Sequence, residues 1–119
     1  MKPFLNFHTH NFPPTPDEKS IYNPMIEEIE AIVKVRDNWI SVGIHPWYIN
    51  KEDWQKYLQI LKKWIDNEQV MAVGECGLDR LAQVSIAQQL LVFDAQVKLA
   101  EQVQKPVIIH CVRAFNELI

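Results

Sequence analysis

A chain of 119 residues that is 48% hydrophobic and 23% charged has the make-up of an ordinary globular domain, not of a disordered segment or a membrane bundle. A net charge of −3, with Lys62-Lys63 the one adjacent basic pair, argues against a basic face for non-specific nucleic-acid binding. Two cysteines make no disulfide framework, Pro3, Asn6 and His8 interrupt any secretory apolar segment, and no apolar run can span a bilayer, so a reduced cytoplasmic protein is expected.

Phe4–Phe7 is a short apolar run of strand type, and His8-Thr9-His10 follows it. With a period of two, His8 and His10 point to the same side of an extended strand, so both imidazoles can reach one ion. Pro13, Pro14 and Pro16 read as a local loop, not as a domain boundary. Ile21-Tyr22 is a weak strand candidate. After Pro24, the residues Ile26, Ile29, Ile32 and Val33 suggest a helix.

Trp39–Ile44 is the next apolar run, and His45-Pro46-Trp47 closes it. Pro46 sets the turn there, and His45 either contacts substrate, supports metal ligands or is purely structural. Trp54, Tyr57, Leu58, Leu61, Trp64 and Ile65 mark one helical face, with the tryptophans as helix core and not as a base-stacking platform.

Val70–Gly74 reads as a buried strand with Glu75 directly after it. Such a carboxylate is costly if unpaired. A metal satisfies it, and the alternative is a loop acid paired with Arg80. Asp79 either orients a ligand or holds Arg80. A second helical face carries Ile86, Leu90, Phe93, Val97 and Ala100. The last apolar run, Pro106–Ile109, leads to His110, and Arg113 onward resembles the first turns of a helix without a stop signal.

Continuous apolar runs alternating with amphipathic helices indicate βαβ units and a parallel sheet. All four histidines and Glu75 lie at or just past the C-terminal end of such a run, where an α/β barrel gathers its catalytic groups. Cys76 and Cys111 alternate with Glu75 and His110 and read as plain core residues. No phosphate-binding glycine loop, dinucleotide fingerprint or serine-hydrolase elbow occurs.

These strings together resemble the TatD-related deoxyribonucleases, metal-dependent hydrolases built on a TIM barrel. The matching pieces are Phe7-His8-Thr9-His10, Ser41-Val42-Gly43-Ile44-His45-Pro46-Trp47, Val73-Gly74-Glu75-Cys76-Gly77-Leu78-Asp79-Arg80, the helix with Gln89, Phe93, Gln96, Leu99 and Ala100, and Lys105-Pro106-Val107-Ile108-Ile109-His110-Cys111. The resemblance implies an α/β TIM-barrel fold of which residues 1–119 are the N-terminal portion, about four to five parallel strands with helices. The C-terminal strands, carrying a later histidine and aspartate, would be absent.

It also implies two divalent ions of Zn, Mn or Mg type. His8 and His10 would bind one, His110 the other, and Glu75 would bridge them as the catalytic carboxylate. His45, Asp79 and Arg113 would bind substrate or support the ligands. The implied reaction is hydrolysis of phosphodiester bonds in DNA or a related substrate. Two alternatives stand beside it: another barrel metal-hydrolase chemistry (C–N or phosphomonoester cleavage), and a catalytically inert half-barrel that self-associates through its open sheet edges.

Overall fold

The computed structural model describes residues 4–9, 18–35 and 39–118, with only the backbone course described for residues 4–9, 18–20 and 35. Five strands form one parallel sheet in the order of the chain: β1 (Phe4–Thr9), β2 (Glu18–Tyr22), β3 (Trp39–Val42), β4 (Val70–Asp79) and β5 (Val107–Val112). Helices α1 (Ile29–Val35), α2 (Trp54–Trp64), α3 (Ile86–Val103) and the short α4 (Phe115–Leu118) alternate with the later strands. Sequential parallel strands with intervening helices are the winding of an α/β barrel. The weak candidate Ile21-Tyr22 is the end of a true strand.

The core lies between the sheet and the helices. Ile40 and Val42 of β3 and Val70 and Val73 of β4 are buried against Ile29, Leu61, Ile65 and Val92. Trp54 is buried and Trp64 packs at the edge of the same cluster, so both serve as helix core. No described helix is long and apolar enough to cross a membrane.

Two expectations need correction. The strands β4 and β5 outrun their apolar segments, pairing from Val73↔Val107 through Asp79↔Val112. Glu75 and His110 therefore sit within strands and not past their ends. Ladder hydrogen bonds continue wherever a partner strand runs alongside, whatever the side-chain polarity.

The buried face of α3 is also rotated from the apolar stripe. It consists of Gln89, Val92, Gln96, Leu99 and Ala100, while Leu90, Phe93 and Val97 are half-buried. The reason is two glutamine clamps. Gln96 accepts from Ile44 N–H (2.7 Å) and donates to Ile44 C=O (3.3 Å). Gln89 accepts from Asp79 N–H (2.7 Å) and donates to Asp79 C=O (2.9 Å). Seven residues apart, the two amides share a helix face. They satisfy backbone groups just past β3 and at the end of β4 that would be costly if buried unpaired.

Candidate metal centre

The parallel register places His110 opposite Gly77. Along β4, Glu75 and Asp79 stand two residues to either side of that glycine, and both carboxylates reach the same imidazole. Glu75 Oε1 lies 2.7 Å from His110 Nδ1 and Asp79 Oδ2 lies 2.8 Å from Nε2. Gly77 has φ +138°, and a Cβ there would overlap the His110 carbonyl oxygen. The glycine is thus what lets β5 bring its histidine between the two acids.

His45 approaches from the loop after β3. Its Nε2 is 3.3 Å from Glu75 Oε1, and its ring lies 4.4 Å, centroid to centroid, from that of His110. The candidate ligand atoms of His45, Glu75 and His110 all fall within 4.8 Å of one another. A further bond fixes how His45 takes part. Its Nδ1 accepts the Trp47 backbone N–H at 3.1 Å, capping the short 3-10 turn Pro46–Tyr48.

In the neutral ring that bond puts the proton on Nε2, from which His45 would donate toward Glu75. Burial, and after it the nearness of His110, lowers the His45 pKa and favours this neutral form.

Asp79 is fully enclosed. It accepts from Trp47 Nε1 at 2.5 Å and from Leu81 N–H at 2.8 Å in addition to its contact with His110. Burial alone would raise its pKa. The hydrogen bonds from Trp47, His110 and Leu81 outweigh that and hold it below the ordinary carboxylate range. Arg80, the alternative partner, turns away: it pairs with Glu117 and donates Nε to the Arg113 carbonyl at 2.6 Å. Asp79 therefore orients His110, and Arg80 pairs with neither Glu75 nor Asp79.

This arrangement fits a divalent cation on the chemistry of its donors. If His110 donates Nε2–H to Asp79, its Nδ1 lone pair faces a carboxylate oxygen at 2.7 Å. Two acceptors at that distance share a proton, and a divalent cation bound to both would take the proton's place, with bonds of about 2.0–2.2 Å to each. A carboxylate behind the ligating imidazole is also the usual way a metal-binding histidine is held. Glu75 and His110 would hold the ion, with Asp79 fixing the ring.

Of the remaining expected site residues, His8 lies on β1 with only its backbone described, and His10 lies outside the described residues. Arg113 is exposed just past β5, with φ +52°.

Two further residues support the site through contacts with distant strands. Asn23, just past β2, donates Nδ2 to Gly74 C=O (2.7 Å) and to Ser41 Oγ (3.0 Å), tying three strands together beside Glu75. Trp47 anchors Asp79 through its indole N–H. A polar residue directly after an apolar run was the available signal for Asn23, but nothing local distinguishes such a tie from a loop residue.

Cys76 is fully buried next to Glu75, and its thiol pKa is pushed up to about 12, first by burial and then by the carboxylate's charge. At pH 8 the folded chain should leave Cys76 unlabelled by iodoacetamide and modify it only once denaturant is added. Labelling at the rate of a free thiol in the native state would contradict the burial.

Comparisons with known proteins agree with these features. A family model described as "TatD related DNase" matches residues 17–119. A Pantoea sp. (strain At-9b) protein named 3'-5' ssDNA/RNA exonuclease TatD is 40% identical over 80 residues, which are 66% of this chain and 30% of that protein. A protein of the same name from Edwardsiella piscicida is 39% identical over 82 residues, 68% of this chain and 31% of its own length. Among solved structures, YJJV, a TatD homolog from Escherichia coli K12, superposes with a TM-score of 0.72 at 24% identity, covering 97% of this chain and 53% of that one. The chain thus spans about half of that solved structure, and its matches span about a third of the curated relatives.

Proposed function

Since this chain belongs to the TatD-related DNase family, we propose that it supplies the metal-binding strands of a barrel hydrolase that cleaves phosphodiester bonds in single-stranded DNA or RNA. The observation that carries the reading is the Glu75–His110–Asp79 line, a ligand-orienting arrangement at the family's matching strings. The relatives' name, 3'-5' ssDNA/RNA exonuclease, supports the substrate.

In this reading His8 and His10 complete a two-ion site with Glu75 and His110, and residues 1–119 act as the N-terminal part of one barrel. Bound divalent ions supply charge neutralisation at phosphate and an acidified water, which also answers the lack of a basic face. The chain's own contributions are more specific. Glu75 and His110 bind, Asp79 holds the His110 proton on Nε2, and His45 offers Nε2–H to an oxygen near Glu75. Arg113, exposed just past β5, is assigned to substrate contact in this reading.

The test is release of mononucleotides from 3′-labelled single-stranded oligonucleotides with Mg2+ or Mn2+. It is run with the chain alone and with the chain joined to the later strands of the Pantoea relative. Metal-dependent cleavage by the joined protein, lost in Glu75→Gln, is expected. Intact oligonucleotides alongside cleaved phosphomonoesters or amides would favour the alternative barrel chemistry.

The chain alone is expected to self-associate and to turn over weakly. Strands β3 and β4 are largely buried, whereas β5 is half-exposed along its length and Ile109 is 51% exposed. A half-open strand with apolar side chains invites pairing with another copy. Light scattering at high concentration should give a mass above the monomer's, and a clean monomer would contradict this.

A further inference from the structure

Beside His45 a cavity of about 440 Å³ opens, lined by residues past the ends of β2 and β3 and by Tyr57 of helix α2. We infer that this cavity binds the nucleobase of a nucleotide next to the scissile phosphate, with Tyr48, Tyr57 and Asn50 as its recognition groups. The inference rests on the nuclease reading for what brings the base there, but the pocket's chemistry stands on its own.

Its size is within the range of about 300–1,000 Å³ usual for small-molecule sites. It accommodates one flat heterocycle and no duplex. Met25, Ile26 and Ile44 give it apolar surface, and Tyr48 and Tyr57 add two aromatic rings. The Tyr48 ring stands 5.5 Å from the His45 ring, so the aromatic wall adjoins the His45–Glu75–His110 cluster.

No lysine or arginine is among the described lining residues, and Glu27 adds an acid. A phosphate finds no lysine or arginine there and an acid beside it, whereas a neutral aromatic ring finds apolar and aromatic surface. Polar groups suited to a base edge are at hand. Asn50 uses Oδ1 to accept from Glu52 N–H at 2.9 Å, which leaves its amide nitrogen for a donor role. The two tyrosine hydroxyls can donate or accept. Stacking with a few directional hydrogen bonds is how unpaired bases are held.

The geometry divides the labour. The phosphate goes to the side of His45 that faces Glu75, and the base to the side that faces Tyr48. A duplex keeps its bases stacked and cannot fill the cavity without flipping one out.

Titration of the whole chain with adenosine and with thymidine, followed by NMR of the His and Tyr ring protons in EDTA, tests this. Both nucleosides should shift Tyr48, Tyr57 and His45 saturably. Ribose and inorganic phosphate should not compete. Tyr48→Ala, at a side chain 61% exposed and so tolerant of change, should weaken nucleoside binding roughly tenfold, as loss of one stacking partner does. Tyr48→Phe should restore it to within about twofold, since the ring is kept.

Unmoved tyrosine signals, or equal affinity in wild type and Tyr48→Ala, would overturn the pocket. The titration contains no metal and so reads the pocket alone; nucleoside binding, alongside a joined protein that leaves oligonucleotides intact with Mg2+ or Mn2+, would leave the pocket standing and remove the nuclease reading. Cleavage without nucleoside binding would do the reverse.

Discussion

Glu75→Gln should lower the affinity for cobalt(II) or manganese(II) by roughly a hundredfold or more, beyond the loss of about 10–100-fold typical of residues that only orient a ligand. The substitution keeps the side chain's shape and removes its charge. It also replaces an acceptor facing His110 Nδ1 at 2.7 Å and His45 Nε2 at 3.3 Å with an amide. That amide satisfies the His110 nitrogen by itself, so the cluster no longer calls for a cation. The readout is the visible absorption band of cobalt(II) during titration. Unchanged affinity would place the metal elsewhere and leave the Glu75–His110 contact as a structural ion pair.

Gly77→Ala should be the most damaging single substitution for the fold around the site. At φ +138° any side chain is strained, and here the new Cβ would also press on the His110 carbonyl. Backbone strain and overpacking together cost about 2–6 kcal/mol, a large part of the roughly 5–15 kcal/mol that holds a domain together. Urea unfolding should show a clearly lower midpoint, or the variant should fail to fold. A midpoint within error of wild type would mean that β4 and β5 are not packed as closely as Gly77↔His110 requires.

Much of this fold was legible from periodicity. The helices around Trp54–Ile65 and after Pro24 stood where apolar spacing put them, because their apolar residues join one core cluster with β3 and β4, which asks only for an apolar stripe. The α3 stripe misled for a physical reason. Gln89 and Gln96 are buried because they bind strand backbone, and a hydrophobicity pattern counts such glutamines as solvent-facing.

The strand ends misled likewise. Pairing carried β4 through Glu75, Gly77 and Asp79, and ladder register is a property of two segments, invisible in either alone.

For the site, the residue types at apolar run ends pointed to Glu75 and His110, whereas Asp79 was open between orienting a ligand and holding Arg80, and that choice needed coordinates. Trp47 and Asn23 were out of reach, since their roles consist of contacts 32 and 51 residues away in sequence. His45 was open among several roles. One backbone hydrogen bond to its Nδ1 narrows it to a donor.

A cation held by both Glu75 and His110 is what the chemistry proposed for the site requires. Anomalous diffraction from crystals grown with manganese(II) addresses that directly. The expected result is a peak bonded to a Glu75 oxygen and to His110, with Asp79 on the far ring nitrogen. Manganese found only at exposed carboxylates such as Glu52 or Asp94, with the Glu75–His110 contact still closed, would contradict it.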